Sequence, residues 1–387
     1  MVQRRLAVIY LGADMPWLDL RRYGFRRRNT CLLKGLAEDA AVGRVIVVTS
    51  ILRSQLWMWF RGGSKASRRA KTRDVFVCAL LPERRWIPAS AGINRLFARL
   101  QIGLQSGEWA LSECVVWCYW PAAVDTARKF GLKGSLVFDV DHNILNDENR
   151  SAGDADYVLR QLRACAADAK LVVAASRSIL HWFRQNGARR VALLRNAVDL
   201  SRFDAIDRAG KRRPPRIGYV GTLSSWIDFQ LFRELVSLRP NWSFVVAGPL
   251  YRVTIPDALL RMPNIEFLGD VTPDRVPGLL RTFDAAVVLY RREPWLDLDS
   301  MKLYEYLAAG LPVVTTPFHE RLDEDFDRLL AIASTAPGLA RALDDAFAQS
   351  ESARALWHAR RVRFLTTNTW GCRAKEAVAM LKALEAS

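Results

Sequence analysis

Short runs of Val, Ile and Leu alternate along this chain with longer stretches whose apolar residues recur every three or four positions. The runs are typical of strands buried on both faces, and the longer stretches are typical of helices with one buried face. Strands that alternate with helices form a parallel sheet covered by helices. The first series of strand-like runs consists of LAVIYL, VIVVTS, VFVCALL, VVWCYW, LVFDV and LVVAA. The second series consists of RIGYVG, SFVVAG, IEFLG, AAVVLY and PVVTT.

This pattern predicts two α/β units, and a chain of 387 residues is long enough to form both. The stretch DLSRFDAIDRAGKRRPPR between the two series is polar, charged and rich in proline at its end, which is typical of a linker. We predict a first domain over residues 1–205 and a second domain over residues 206–365.

Two stretches of the sequence predict helices with one apolar face. In INRLFARLQIGLQ, the apolar spacing predicts that Ile93, Leu96, Phe97 and Leu100 face the core. Residues 366–387 predict an amphipathic helix with no strand after it, so this helix must pack on existing structure.

The stretch DSMKLYEYLAAGLPVVTT predicts a loop, a helix, a tight turn and a strand. Ser300 is a candidate N-cap, Gly310 suits a left-handed residue after the helix, and Pro312 prevents further helix. Lys302 and Glu305 are three positions apart and share one surface of the helix. Because a lysine near the positive end of a helix is unfavourable unless an anion lies there, the pattern indicates a phosphate site. A surface ion pair between the two residues is the alternative, and these residues alone leave it open.

Polar residues also follow other strands, at the sheet edge where ligands of open parallel sheets bind. Gly12 and Gly221 each follow a strand. Gly12 is a candidate acceptor-binding residue, and at Gly221 a glycine lets backbone N–H groups approach a phosphate. Asp139, Asp141 and His142 follow the strand LVFDV, and each is a candidate general base that would deprotonate a hydroxyl group. Helix capping and loop hydrogen bonding are the alternative role of this cluster.

The formal net charge of +17 indicates an anionic partner: nucleic acid, an acidic membrane surface or a phosphorylated substrate. Large apolar side chains precede a basic run in the stretch that contains Trp57, Met58, Trp59, Phe60 and Arg61. This combination suits a membrane interface, and the alternative is an apolar hairpin folded on the core with a solvated basic loop. No recognition helix or finger motif accompanies the charge, so nucleic acid is the weaker interpretation.

The six cysteines are scattered, and the four histidines have no metal-ligand spacing. We therefore predict neither a disulfide framework nor a metal site, and no cofactor. No apolar run reaches the ~20 residues that a membrane-spanning helix needs, which predicts a soluble or peripheral protein.

Taken together, the motifs resemble those of glycosyltransferases with the GT-B fold, above all the bacterial branch that builds cell-surface polysaccharides, with some likeness to the xanthan glucuronosyltransferase. The resemblance is carried by FDVDHN, LVVAASRSI, RNAVDLSRF, IGYVGTLSSWIDF, PNIEFLGDV and especially SMKLYEYLAAGLPVVTT. It implies an α/β fold of two Rossmann-like parallel-sheet domains that face each other across a cleft. The first would bind the acceptor and the second the nucleotide sugar, and the last helix would cross back onto the first.

The resemblance also implies roles for single residues. Lys302 would bind the donor diphosphate, Glu305 the ribose hydroxyls, and Asp297 the sugar. Asp297 stands where relatives often have Glu, and SSWID after Gly221 lacks the Arg and Lys that many retaining relatives carry there. Asp139 and Asp141 are candidate bases by analogy with inverting relatives. The other expected donor contacts are Gly221, Thr222, Phe267, Leu268, Gly269, Tyr290, Ser300 and Met301.

The function implied is metal-independent transfer of a sugar from a UDP- or GDP-sugar to a lipid-linked or polysaccharide acceptor. The expected partners are the nucleotide-sugar donor, a lipid-linked saccharide acceptor and an anionic membrane surface, but not nucleic acid. The expected location is cytoplasmic, peripheral on the inner face of the plasma membrane. The alternatives are a GT-B sugar-nucleotide epimerase and a basic nucleic-acid-binding protein.

Overall fold

The computed structural model describes residues 5–12, 27–50, 75–80, 89–107, 109–132, 134–141, 152–203, 214–292 and 298–385. The chain divides into two compact units, Met1–Arg195 with Trp370–Ser387, and Asn196–Thr369. The predicted boundaries at 205 and 365 therefore shift to 195 and 369. The reason is a backbone pairing inside the second unit: Val198 bridges to Thr369, and its N–H donates to the carbonyl of Asn368 at 3.1 Å.

The first unit is built on a parallel sheet of seven strands in the order β3-β2-β1-β4-β5-β6-β7. The strands are β1 (Leu6–Leu11), β2 (Val42–Ser50), β3 (Val75–Leu80), β4 (Val115–Tyr119), β5 (Ser135–Val140), β6 (Leu171–Ala174) and β7 (Val191–Leu193). The helices between them are α1 (Arg28–Glu38), α2 (Ala89–Ser106), α3 (Pro121–Lys129), α4 (Ala152–Asp168) and α5 (Arg177–Gln185). Every residue of β1 and of β4 is buried, as expected for strands covered on both faces.

The second unit is built on a parallel sheet of six strands in the order β10-β9-β8-β11-β12-β13. The strands are β8 (Arg216–Val220), β9 (Ser243–Ala247), β10 (Ile265–Gly269), β11 (Ala285–Val288), β12 (Val313–Thr315) and β13 (Leu330–Ile332). The helices are α6 (Phe229–Ser237), α7 (Asp257–Leu260), α8 (Val276–Leu280), α9 (Met301–Ala308), α10 (Leu322–Asp325), α11 (Ala336–Ala348) and α12 (Glu351–Thr367). The two predicted α/β units are thus present. In the part of the chain that the structure describes, no helix combines the length and the apolar character that crossing a bilayer requires.

The last helix, α13 (Trp370–Glu385), belongs to the first unit and packs on α1. The two helices approach closely at Gly35, where a Cβ atom would lie 2.7 Å from the Cβ of Ala374. Arg373 Nε also donates to the backbone oxygen of Arg195 at 3.0 Å. A glycine at the helix crossing therefore lets the end of the chain complete the core of the first unit.

Helix α9 is held at its carboxyl end by α12. Arg361 of α12 is buried, and its Nη1 donates to the carbonyl oxygen of Leu307 at 2.6 Å. Tyr304 of α9 stacks on Phe364 of α12 with ring centroids 6.0 Å apart. A cation at the negative end of a helix satisfies carbonyl groups that have no partner within the helix.

Replacing Arg361 with Met keeps an apolar stem but removes the donor to these buried carbonyls. We expect Arg361→Met to lower the free energy of unfolding of the second unit by about 2 kcal/mol, since hydrogen bonds that involve charged groups are worth roughly 1.5–3 kcal/mol. Chemical denaturation followed by tryptophan fluorescence measures this change. Arg354→Met, at an exposed position of the same helix, is the control and should change stability by less than about 0.5 kcal/mol. Equal effects of the two substitutions would contradict the role of Arg361.

Candidate functional site

Lys302 lies directly over Gly221, the residue that follows β8. Gly221 has φ +150°, and a Cβ atom there would stand 1.7 Å from Cε of Lys302. The ammonium group donates to the hydroxyl of Tyr290 at 3.1 Å and lies 5.9 Å from the ring centroids of both Tyr219 and Tyr290. The geometry therefore places one positive charge at the carboxyl end of β8, against aromatic faces that attract cations.

The surface ion pair between Lys302 and Glu305 is not what the structure shows. Glu305 instead pairs with Arg202, whose Nη1 lies 3.2 Å from its Oε1. Arg202 ends a short 3-10 turn, Leu200–Arg202, and its Nη2 donates to the carbonyl of Pro273 at 2.7 Å. Burial raises the pKa of Glu305, while the charges of Arg202 and Lys302 act in the opposite direction. Two cations and one carboxylate thus share this edge of the sheet, which leaves a net positive charge for an anionic ligand.

Two hydrogen bonds of Tyr306 hold helix α9 at the end of strand β8. Its hydroxyl accepts from the N–H of Val220 at 2.7 Å and donates to the carbonyl of the same residue at 2.9 Å. Burial raises the pKa of this phenol, which therefore stays neutral and keeps its proton for the second bond. Leu303, Tyr306 and Leu307 are fully buried, so this face of the helix packs on the core.

A second set of contacts fixes the residues before α9. The carboxylate of the buried Asp299 accepts from the hydroxyl of Tyr304 at 2.9 Å and from the backbone N–H of Asn196. The side-chain amide of Asn196 donates to the carbonyl of Asp299 at 2.5 Å. Ser300 occupies the N-cap position but makes no capping bond through its side chain, so Asp299 anchors this end of the helix instead.

Sequence reasoning missed Arg202, Asp299 and Tyr304. The signal for Arg202 and Asn196 was the motif RNAVDLSRF, whose polar residues flank a turn, but the motif does not name their partners.

The remaining predicted donor residues lie at the same strand ends. Thr222 accepts from the hydroxyl of Tyr219 through its carbonyl at 2.9 Å. Leu268 and Gly269 are exposed at the end of β10, whereas Phe267 packs partly against the core. Met301 is half-buried at the start of α9.

The strand next to β8 is also followed by a glycine. Gly248 follows β9 with φ +140°, and a Cβ atom there would lie 2.1 Å from the carbonyl oxygen of Gly221, so the strand ends meet closely. Asp297 lies outside the described residues, and its role stays a prediction.

In the first unit, Asp139 and Asp141 differ in their surroundings. The carboxylate of Asp139 is buried and pairs with Nε of Arg28 at 2.9 Å, and neither side chain is exposed to solvent. Burial raises the pKa of Asp139, and the neighbouring guanidinium opposes that shift. Asp141 is only half-buried and accepts from the hydroxyl of Tyr119, whose pKa burial raises. This geometry argues for a structural ion pair at Asp139, against its prediction as a base, and leaves Asp141 accessible.

Gly12 lies beside these residues. It has φ +99°, and a Cβ atom there would lie 2.3 Å from the carbonyl oxygen of Tyr119, so β1 and β4 end in close contact. Its carbonyl accepts from the side chain of Asn29 at 3.0 Å.

These contacts explain the glycine by packing, and its predicted acceptor role stays a prediction. Two further predictions lie outside the described residues: His142 as a base, and Trp57, Met58, Trp59, Phe60 and Arg61 as a membrane contact.

The second unit matches a known family. Residues 214–349 match the family model described as Glycosyl transferases group 1. A stretch of 141 residues is 30% identical to the putative teichuronic acid biosynthesis glycosyltransferase TuaH of Bacillus subtilis (strain 168). It covers 34% of this chain and 35% of TuaH, so the chain matches about a third of the length of this curated relative.

Solved structures match nearly the whole chain at low sequence identity. HepE of Anabaena, in complex with UDP and glucose, has a TM-score of 0.66 and 14% identity, with 98% of this chain and 100% of that chain covered. The α,α-trehalose 6-phosphate synthase of Burkholderia multivorans has a TM-score of 0.62 and 14% identity, with 99% of both chains covered. The predicted GT-B fold of two Rossmann-like domains is therefore confirmed. The predicted resemblance to glycosyltransferases is confirmed as well, over residues 214–349.

The different surroundings of the two aspartates predict different effects on stability. Asp139→Asn leaves the buried guanidinium of Arg28 without its counter-charge, and we expect a loss of about 3 kcal/mol in the free energy of unfolding of the first unit. Asp141→Asn keeps an acceptor for the hydroxyl of Tyr119, and we expect a loss of no more than about 1 kcal/mol. Chemical denaturation of the two variants, compared with the wild type, measures both changes. Equal losses would show that the burial of Asp139 has no energetic weight.

Proposed function

We propose that this protein transfers a sugar from a nucleoside diphosphate sugar, a UDP- or GDP-sugar, to a lipid-linked or polysaccharide acceptor in the assembly of a cell-surface polysaccharide. The observation that carries the proposal is the ammonium of Lys302 over Gly221, at the carboxyl end of β8. Its place within the stretch that matches group 1 glycosyltransferases supports the same role, as does the relative TuaH. The neighbour HepE is seen with UDP and glucose, which supports a nucleotide sugar as the donor.

In this proposal, the diphosphate of the donor binds Lys302 and the backbone N–H groups beside Gly221. When the bond between the sugar and the diphosphate breaks, negative charge grows on the leaving oxygen, and a fixed cation at that place stabilises the transition state. Arg202 pairs with the carboxylate of Glu305 and so leaves the charge of Lys302 for the diphosphate, in a site where SSWID supplies no basic residue. The protein thereby supplies the positive charge that a metal ion supplies in other transferases, and we propose a metal-independent reaction.

Glu305 would accept hydrogen bonds from the ribose hydroxyls of the donor. Its carboxylate is oriented by Arg202 at 3.2 Å and lies half-buried one helical turn from Lys302. Tyr290 contacts the same ammonium group, and Ser300 and Met301 directly precede Lys302 at the start of α9. We propose that these three residues line the donor site.

Asp141 is our candidate for the general base. In an inverting transfer, the base removes the proton from the acceptor hydroxyl as its oxygen bonds to the sugar, and the diphosphate leaves with the electron pair of the broken bond. Asp141 suits this task better than Asp139, because it is half-buried, whereas the side chain of Asp139 is fully buried against Arg28. The hydroxyl of Tyr119 would hold the carboxylate in position.

The donor site is tested by removing its cation. We expect Lys302→Ala to weaken binding of UDP or GDP at least about tenfold, because a charge-assisted contact to phosphate is lost. Gly221→Ala should have a similar effect by displacing the lysine. Isothermal titration calorimetry with UDP, GDP and their sugar derivatives, in buffer with EDTA, measures both.

Lys170→Ala is the matched control, since that lysine is exposed in the first unit and its ammonium group donates to the hydroxyl of Ser135. Equal affinity of wild type and Lys302→Ala would refute the donor site. Tight DNA binding without any nucleotide affinity would refute the proposed function as a whole.

The base is tested by Asp141→Asn. We expect kcat to fall on the order of a hundredfold or more, while the donor binds as tightly as to the wild type. The measurement is release of nucleoside diphosphate from the donor chosen by calorimetry, with a polyprenyl diphosphate-linked saccharide as acceptor. A wild-type kcat in Asp141→Asn would rule out this residue as the base and return the role to His142.

A further inference from the structure

Helix α2 has leucines on its outer face. The helical spacing predicted that Leu96 and Leu100 would face the core, and this prediction is wrong. In the structure Leu96 is 64%, Leu100 55% and Leu104 83% exposed. The buried face of the same helix is formed by Ala98 and Ile102, which lie on the opposite side.

Packing against the sheet explains which face of α2 is buried. Apolar residues run all round α2, so periodicity alone could not say which face is buried. The face with the small Ala98 packs on β2 and β3. A helix that is apolar on both faces is unusual at a protein surface and indicates a second apolar environment.

The three leucines follow each other at intervals of four residues and so form one row along the helix. At 1.5 Å per residue, the row from Leu96 to Leu104 is about 12 Å long. Gly103 lies beside the row, exposed, and a Cβ atom added there would meet no heavy atom within 4 Å. We call Leu96, Leu100 and Leu104 the leucine row. The row projects from the helix as a ridge. A lipid surface can accommodate a ridge, whereas a peptide binds best in a groove.

The charge along α2 and at its carboxyl end is positive. The helix contains two arginines, Arg95 and Arg99, and no acidic residue. Arg99 is exposed on the helix, next to Leu100 in sequence. At the carboxyl end of the helix, Arg44 donates to the carbonyl of Gln105, and its guanidinium stacks 5.3 Å from the ring centroid of Trp109. Leucines flanked by arginines and a tryptophan are typical of a helix that lies in the interface of an anionic bilayer.

We propose that the leucine row docks this protein on an anionic lipid surface. The leucines would enter the boundary between headgroups and acyl chains, and Arg99 and Arg44 would remain at the level of the lipid phosphates. The inference does not depend on sugar transfer, because it rests on the exposure and charge of the first unit alone.

The test is binding to lipid vesicles. We expect the full-length double variant Leu100→Asp/Leu104→Asp to bind vesicles of phosphatidylcholine and phosphatidylglycerol at least about tenfold more weakly than the wild type, as measured by sedimentation. Vesicles of phosphatidylcholine alone should bind the wild type more weakly, and salt should weaken binding to the anionic vesicles. Leu356→Asp is the matched control, because Leu356 is 65% exposed on α12 of the second unit. Its binding should equal that of the wild type.

A substitution that enlarges the leucine row should strengthen vesicle binding instead of weakening it. Gly103→Leu should raise vesicle binding several-fold, because it adds an apolar side chain to open space beside the row. Gly278→Leu is its control, since Gly278 is an exposed helical glycine with equally open surroundings in the second unit. A merely structural role of the row predicts no gain in binding for either variant.

Three results would overturn the proposal. The first is equal vesicle binding of the wild type and Leu100→Asp/Leu104→Asp. The second is a lower melting temperature of that double variant with unchanged vesicle binding, which would show that protein covers the leucines. The third is a wild type that sediments with neither kind of vesicle.

Discussion

The two hydrogen bonds between Tyr306 and Val220 are the constraint on which the candidate donor site depends. One hydroxyl meets both backbone groups of the last residue of β8, and the two bonds hold α9 at the end of this strand. Lys302 lies four residues earlier on the same face of the helix, and it is therefore carried over Gly221. This placement requires a glycine at the position of Gly221, since any side chain there would occupy the space of Lys302. The close contact between Gly221 and Gly248 follows in turn, because the strand ends pack without Cβ atoms between them.

A lysine in the first turn of a helix is unfavourable in the free protein, and the structure shows what offsets this cost. The rings of Tyr219 and Tyr290 lie at cation–π distance, and the phenol of Tyr290 accepts a hydrogen bond. Aromatic faces stabilise a cation without neutralising it, whereas a carboxylate would use up its charge. Arg202 takes the carboxylate of Glu305, and the charge of Lys302 is thereby kept for an anion. The division of partners between the two cations is what distinguishes this site from a surface ion pair.

The fold could be predicted from the sequence because strands buried on both faces leave a plain mark, a run of apolar residues such as LAVIYL. The stretch around α9 could be predicted for a similar reason, since Gly310, with φ +72°, and Pro312 mark where the helix ends. The ion-pair and hydrogen-bond partners of the site residues could not be predicted from the sequence. Arg202 and Glu305 are 103 positions apart, and nothing in the local pattern of either residue names the other. The buried face of α2 could not be predicted either, because apolar residues on both faces of the helix fit the helical periodicity equally well.

In both units, the burial of a polar residue near the strand ends determines whether it needs a fixed partner. A polar group that is fully buried needs a fixed partner, since an unpaired one costs several kcal/mol. Asp139 with Arg28 in the first unit and Asp299 with Tyr304 in the second are of this kind, and each holds the start of a helix in place. Groups that remain half-buried, Asp141 in one unit and Lys302 in the other, keep contact with solvent and with it the capacity to exchange water for a ligand. The alternation of Asp139, Val140 and Asp141 hid this difference, because spacing along a strand reports the direction of a side chain but not what covers it. Burial therefore separates the paired Asp139 from the accessible Asp141, and the partner of Asp139, Arg28, lies 111 positions away in the chain.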